Sequence, residues 1–356
     1  MARRVISLVA IILAANIFAA AHTRTASQND SSSAAENGEL SRLPVLYRYW
    51  LTEDVPYLIA SVEREAFLQL ANDQERDQFI EQFWQRRYPV PIYEENPFEE
   101  EHYRRIAYSN DHFSTDLRGW RTDRGRIYIA WGPPDEIRDI PRPDSQSSES
   151  LQIWQYRRLD GIGENVGVKF THIRGLPDYQ LSASSALASK LADLPKIGNS
   201  VHVTAARADS VYAAPGFKAL EAVVTAHLFR TTIGFDHRVE FAPITHFTTA
   251  VLLTIEVPKL EFHRQAAQPN ETPGLRVFCQ VSNTNGRIVE GFYESVLQGD
   301  AAPQDSAGLY FLRKNVLLRP GSYAVAIVVN DPKSGDVGTS YTTLQVPPLE
   351  TTEKWK

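Results

Sequence analysis

Apolar positions run in two rhythms along this chain, helical in the first third and alternating in the last. Phe79 stands over Phe83 and Ile80 over Trp84 at a spacing of four, which places all of them on one stripe of a helix. Asn72 and Glu75 precede that stripe as an N-terminal capping box, and Pro89 ends it. A second helix is predicted from Asn96, a residue suited to capping, with Pro97 preset for the first helical position and Glu99 completing the box. Phe98, Ile106 and Phe113 are its expected core positions, and Tyr103 and Tyr108 are left open. Glu99, Glu100 and Glu101 complement the helix dipole and precede Arg104 and Arg105 at pairing distance; a cation site is the other use of such a cluster. Ahead of both helices come an extended stretch or short strand over residues 54–60 and a short helix over 62–70.

Alternation begins at residues 126–131, where Ile127 and Ile129 share one face and Tyr128 and Ala130 the other. That pattern predicts a strand entered by a turn at Gly125 and left through Gly132-Pro133-Pro134. A Pro/Ser loop over 141–150 leads to strands at 151–156 and 166–171 joined by a turn at 160–165, giving a small antiparallel sheet behind two or three helices. An Ala-rich helix over 182–194 leads out. Seven β-type segments follow from about residue 201, over 220–229, 247–257, 275–281, 287–296, 309–318, 323–329 and 337–346, and seven suggest a sandwich. Asn283-Thr284-Asn285-Gly286 is a hairpin signal, because Asn-Gly accepts the positive φ angles of tight hairpins. Leu318-Arg319-Pro320-Gly321-Ser322-Tyr323 resembles the tyrosine-corner entry to a late strand in immunoglobulin-like or fibronectin-like modules. The fold class expected is α+β: N-terminal helices packed on a small antiparallel sheet, then an all-β immunoglobulin-like sandwich.

Between the helices and the first sheet stands Gly119-Trp120-Arg121-Thr122-Asp123, followed by Gly125-Arg126-Ile127-Tyr128-Ile129, by Gly132-Pro133-Pro134 and later by Trp154-Gln155-Tyr156. This run resembles the GWxTD domain, matched at Gly119, Trp120, Thr122 and Asp123. Phe83-Trp84-Gln85-Arg86-Arg87 and the stretch from Arg104 to Phe113 are similar to portions that precede the pentapeptide in relatives, so the likeness spans 44–179. Relatives commonly read Arg-Asp-Pro after the Phe-Trp helix, where this chain has Arg87-Tyr88-Pro89. The resemblance implies an exported bacterial protein and brings no reaction, cofactor or catalytic residue with it.

The first residues agree with export. Arg3-Arg4, an apolar run over 5–15 and the small residues Ala19-Ala20-Ala21 before His22 form a secretory signal pattern, too short for a membrane span of about 20 apolar residues. Without a following Cys there is no lipid attachment site, so no membrane span is expected after signal cleavage and the location expected is periplasmic or secreted. The organisation predicted is a signal peptide over 1–21, a disordered linker over 22–43, a GWxTD α+β domain over 44–195, a β-sandwich over 200–348 and a tail over 349–356. Charge narrows the partners: 37 basic against 43 acidic residues, a formal −6, and no long basic run argue against nucleic acid. Cys279 is the lone thiol, and alternation with Val277 and Val281 makes it a buried structural residue.

Chemistry leaves few openings. The histidines are scattered without H-x-x-x-H spacing, G-x-S-x-G does not occur, and Gly161-Ile162-Gly163 lies between strands without a phosphate-loop Lys, so neither metal nor cofactor is expected. Trp120, Trp131, Trp154 and Tyr156 with Arg118, Arg121, Arg124 and Arg126 can line a groove for a glycan, carboxylate or peptide. Alternatively Gly119, Trp120, Thr122, Asp123, Gly125, Gly132, Pro134, Trp154 and Tyr156 serve the fold: Gly for close approach, Trp as a core plug, Thr and Asp for turn amides. The function expected is a non-enzymatic binding or structural module of the envelope or periplasm, its partner an envelope protein, peptide or glycan. The rival is a carbohydrate-active hydrolase or lyase pairing Asp123 with Asp135 or Glu136.

Overall fold

A computed structural model describes residues 38–90, 96–140, 150–159, 162–172, 176–182, 215–258, 274–297 and 309–349. The expected signal peptide, most of the linker, the loop over 141–149, the first two residues of the 160–165 turn, the 182–194 helix beyond its first residue, the start of the expected sandwich over 200–214 and the tail beyond 349 lie outside those residues. From Leu43 onward the chain forms one compact unit.

Helix α1 (Val45–Tyr49) runs directly into a π-helical turn, Trp50–Asp54, and the stretch expected to be extended over 54–60 begins instead as a further turn in which the Leu58 and Ile59 N–H groups donate to the Val55 carbonyl. The wider π-helical turn lets Trp50 and Leu51 drop fully into an aromatic core with Phe67, Phe79 and Phe83. Helices α2 (Ser61–Leu68), α3 (Asp73–Arg87) and α4 (Pro97–Phe113) supply the rest of that core. Both predicted caps form: the Asn72 side chain accepts from Glu75, whose carboxylate reaches back to Ala71, and Asn96 accepts from Phe98 and Glu99. Asn96 caps α4 through its own side chain, while Glu99 lines a cavity described below. Of the three glutamates, Glu101 makes the pairs with Arg104 and Arg105.

A turn of 3-10 helix, Gly119–Arg121, leads into α5 (Asp123–Trp131), a helix where a strand was predicted. Thr122 caps it, and Gly132 at φ +80° ends it. The alternation of Ile127 and Ile129 arose because α5 is wedged between two layers. Ile127 packs into a core with Trp154, Val168 and Phe170 of the sheet, whereas Ile129 borders a small gap beside Leu58 and Phe98. A helix covered on opposite flanks buries residues two apart, which imitates a strand. The sheet itself has four antiparallel strands in the order β1 (Glu136–Ile140), β2 (Ser150–Leu159), β3 (Gly163–His172), β4 (Tyr179–Leu181).

Residues 220–229 are not a strand; α6 (Pro215–Thr225) directs Phe217, Leu220 and Val224 onto Phe278, Ala326 and Val328. Strands β5 (Asp236–Pro243), β6 (Thr249–Pro258), β7 (Gly274–Asn283), β8 (Ile288–Leu297), β9 (Leu309–Leu318), β10 (Gly321–Asn330) and β11 (Val337–Val346) make two antiparallel sheets, β11-β10-β7-β8 and β5-β6-β9. Their facing sides share one core that includes Val251, Ile255, Val277, Cys279, Ile327 and Val329. Burial pushes the Cys279 thiol well above its usual range, as suits a structural residue. Because α6 covers the outer face of β7 and β10, those strands are apolar on both sides. The Asn283–Gly286 hairpin forms with Gly286 at φ +76°, and within the run likened to a tyrosine corner the Tyr323 hydroxyl donates to the Arg319 carbonyl at 2.8 Å.

Candidate functional site

Two places qualify, the pentapeptide and a cavity between the helices and the sandwich. At the pentapeptide the Thr122 and Asp123 side chains are hydrogen-bonded into the fold, while the Trp120 indole N–H is buried without a hydrogen-bond partner among the described residues. A Cβ on Gly119 would stand 1.7 Å from the Ser109 carbonyl oxygen of α4, and one on Gly125 would stand 1.8 Å from the Gly119 oxygen. The turn therefore lies flat against α4, and α5 lies flat against the turn, at contacts only glycine permits. Ser114 Oγ accepts the Gly119 N–H at 2.8 Å, and Asn110 Oδ1 accepts that of Trp120 at 3.2 Å. Trp120 is buried, with Tyr57 beside it at 6.3 Å between ring centroids and the Arg121 guanidinium over its ring. Thr122 Oγ1 donates to the Gly119 carbonyl at 2.8 Å and accepts from the Gly125 N–H at 3.1 Å, so one hydroxyl closes the turn and caps the helix.

Asp123 reaches further than its own turn. Its Oδ2 accepts the Leu181 N–H at 2.6 Å, which moors β4 to the start of α5, and its Oδ1 pairs with Arg126 at 3.1 Å. Arg124 pairs with buried Asp178 at 2.6 Å and lies over Phe113 and Tyr179. Arg118 loses basicity to burial, partly offset by Glu53. Arg121 is exposed, and it acts with Arg126 and Asp123 on the half-hidden Tyr57 hydroxyl, whose pKa rises chiefly through burial. Gly132, Trp154 and Tyr156 belong to a second cluster: the Tyr156 hydroxyl donates to the Gly132 carbonyl at 3.1 Å, and the buried Trp154 indole donates to Gln152 at 2.8 Å. Trp131 and Pro134 are partly buried at the end of α5. The carboxylates proposed for acid–base work are engaged elsewhere. Arg157 holds Asp135 below the usual range, first through its backbone N–H, and Arg138 does the same to Glu136 through its side chain. A general acid needs the opposite shift.

The sequence over residues 30–187 matches the model of the GWxTD domain family. The chain carries a GWxTD domain. Its four signature residues thus define a GWxTD domain held together at a glycine contact, an indole plug, a hydroxyl cap and a carboxylate mooring. No curated protein matches the chain. Solved structures show only faint likeness: a β-glucuronidase from glycoside hydrolase family 2 at 14% identity, covering 31% of this chain and 11% of that one, with a TM-score of 0.22. A domain of the outer membrane lipoprotein Omp28 from Porphyromonas gingivalis aligns at 14% identity over 35% of this chain and 99% of that one, TM-score 0.17. MHC-like MILL2 aligns at 13% identity, 57% and 69% coverage, TM-score 0.19. The chain spans about a tenth of the glucuronidase, and overlaps this low carry no functional argument.

The cavity between the GWxTD domain and the sandwich is an open cleft of about 560 Å³. Trp84, Glu99 and Tyr103 from α3 and α4 form one wall, and Arg287, Glu290 and Arg319 from the sandwich form the other. Two ion pairs bridge the walls: Arg319 grips Asp77 with both terminal nitrogens, and Arg287 meets Glu81. Burial first, then repulsion from Glu290, Glu100 and Asp54, drives the Glu99 carboxyl well above its usual pKa. Sequence patterns named Glu99 but did not bring the two walls together, since they lie far apart in the chain. Among the described residues no group of His, Cys, Asp and Glu has the geometry of a metal site, and no helix is long and apolar enough to cross a membrane.

Proposed function

We propose that the protein is an exported, non-enzymatic binding module of the cell envelope or periplasm, and that its partner, an envelope protein, peptide or glycan, contacts the cavity between helices and sandwich. One observation carries this reading: the GWxTD residues are used up in packing and capping, whereas the cavity offers aromatic, acidic and basic side chains around open volume. Export is supported by the Arg3-Arg4 start, the apolar run and Ala19-x-Ala21. A photo-crosslinking residue at Ile288, on the cavity wall, tests the contact in intact cells against the same residue at exposed Thr343. A discrete adduct from position 288 alone is expected. Equal labelling at both positions, or none in folded protein, would remove the cavity from the reading. Intact mass of the exported form should begin near His22.

A further inference from the structure

Asp54 is a carboxyl group with nowhere to put its charge. It is 1% exposed, at the end of the π-helical turn, and no basic side chain among the described residues forms an ion pair with it. Its Oδ2 accepts from the Tyr103 hydroxyl of α4 at 2.8 Å and from the Thr248 hydroxyl, on the loop before β6, at 2.7 Å. Its Oδ1 meets no donor in good hydrogen-bond geometry among the described residues, although the Thr245 hydroxyl faces the carboxyl group. Thus one carboxyl group ties the helices to the sandwich across 194 positions of sequence. Beside it, buried Glu53 accepts from both the backbone N–H and Nδ1 of His246, a second tie across the same junction.

We propose that Asp54 is a pH-sensitive latch between the GWxTD helices and the sandwich, firm when the carboxyl group is protonated and loosened when it ionises.

The electrostatics around it agree. On its own turn the facing group is Glu53, an acid whose charge opposes ionisation. From α4 come Glu99, Tyr103 and His102; burial lowers His102 to about 4, and it is therefore neutral when its Nε2 donates to the Asp54 carbonyl at 2.6 Å. Loop residues Thr245, His246 and Thr248 complete the shell, and the hydroxyls of Thr245, Thr248 and Tyr103 only partly offset desolvation. Burial raises the Asp54 carboxyl to about 7, against about 3.9 for an exposed aspartate. A raised value in the folded state means that the latch's contribution is complete below the exposed value and is lost as pH climbs through about 7. Tyr103 and Thr248 also line the cavity, so loosening this junction alters its walls. The latch does not depend on what the cavity binds.

Native-state amide exchange of the full chain at pH 6 and pH 8, corrected for intrinsic rates, reads the latch at Thr248 with the interior strand residue Ile327 as reference. Ionisation around pH 7 weakens the closed junction about tenfold between those pH values, and Thr248 protection should fall by about that factor relative to Ile327. Asp54→Asn should abolish the pH dependence. Tyr103→Phe removes a donor to the carboxylate and should move the transition to higher pH, a shift that mere loss of packing would not produce. Should the Asn variant fail to fold, infrared spectroscopy of wild type with labelled aspartate follows the protonated carboxyl band directly. A band that vanishes near pH 7 supports the latch; one already absent at pH 5, or protection that falls equally at Thr248 and Ile327, overturns it.

Discussion

A Cβ on Gly119 would sit inside the van der Waals radius of a backbone oxygen, and backbone yields far less readily than a side-chain tip. Gly119→Ala should therefore cost about 3 kcal/mol or more, at or beyond the upper end of overpacking penalties, because α4 and the turn must separate. Gly234→Ala, where a Cβ meets nothing within 4 Å, should leave the urea midpoint nearly unchanged. Trp120→Ala empties a buried site and should cost about 3–5 kcal/mol. Asp123→Asn keeps an oxygen for the Leu181 N–H and loses only the partly exposed pairing with Arg126, so it should cost about 1 kcal/mol or less. Equal melting of the Trp120→Ala and wild-type proteins would sink the structural account of the motif. Of the motif residues, Thr122 was the plainest in sequence because its partners, Gly119 and Gly125, are local, whereas Gly119 meets Ser109 of α4 and Trp120 lies beside Tyr57 from an earlier part of the chain. Asp123 was half legible: its taste for a backbone amide was plain, but the amide it meets lies 58 residues away.

At the scale of elements, caps spoke more reliably than periodicity. Asn72 and Asn96 announced α3 and α4 because capping needs only neighbours three residues off. Thr122 gives the same signal for α5, yet the Ile127 and Ile129 alternation outweighed it, since a wedge between two layers is a tertiary fact. The same confusion hid α6, whose Phe217, Leu220 and Val224 fall at helical spacing within a run of apolar residues that also suits a strand. Strand β5 went unseen for the opposite reason: as an edge strand with largely exposed residues it carries little apolar signal. If the Thr122 hydroxyl starts α5, Thr122→Ala should lose about 1 kcal/mol, and Thr122→Ser should recover most of it because the oxygen is restored. Chemical denaturation of the three proteins would show this; a Ser variant no better than Ala would mean that the threonine methyl, packed in its buried setting, matters more than the cap.

For the whole molecule the question is whether the sandwich owns its stability. Its core draws on both sheets and is closed on the outer side by α6, with every one of those residues lying after position 215. What the helices add from outside includes ring contacts of Tyr47 with Phe247 and of Tyr49 with His246, the Asp77–Arg319 and Glu81–Arg287 pairs, a hydrogen bond from Asn110 to the Ile244 carbonyl, and the two ties made by Glu53 and Asp54. Removing residues before 215 exposes Arg319 and His246 to water together with the loss of their partners, so neither is left as a stranded buried charge. The loss should then be a few kcal/mol, mainly from uncovering Phe247 and its neighbours, set against the roughly 5–15 kcal/mol of an ordinary domain. A fragment spanning residues 215–349 should accordingly fold and melt in one cooperative transition, several degrees below the intact protein. Calorimetry of both decides the matter. A fragment with random-coil circular dichroism would show that the sheets need the helices to close their core, and the boundary drawn from sequence near residue 200 would then divide a single folding unit.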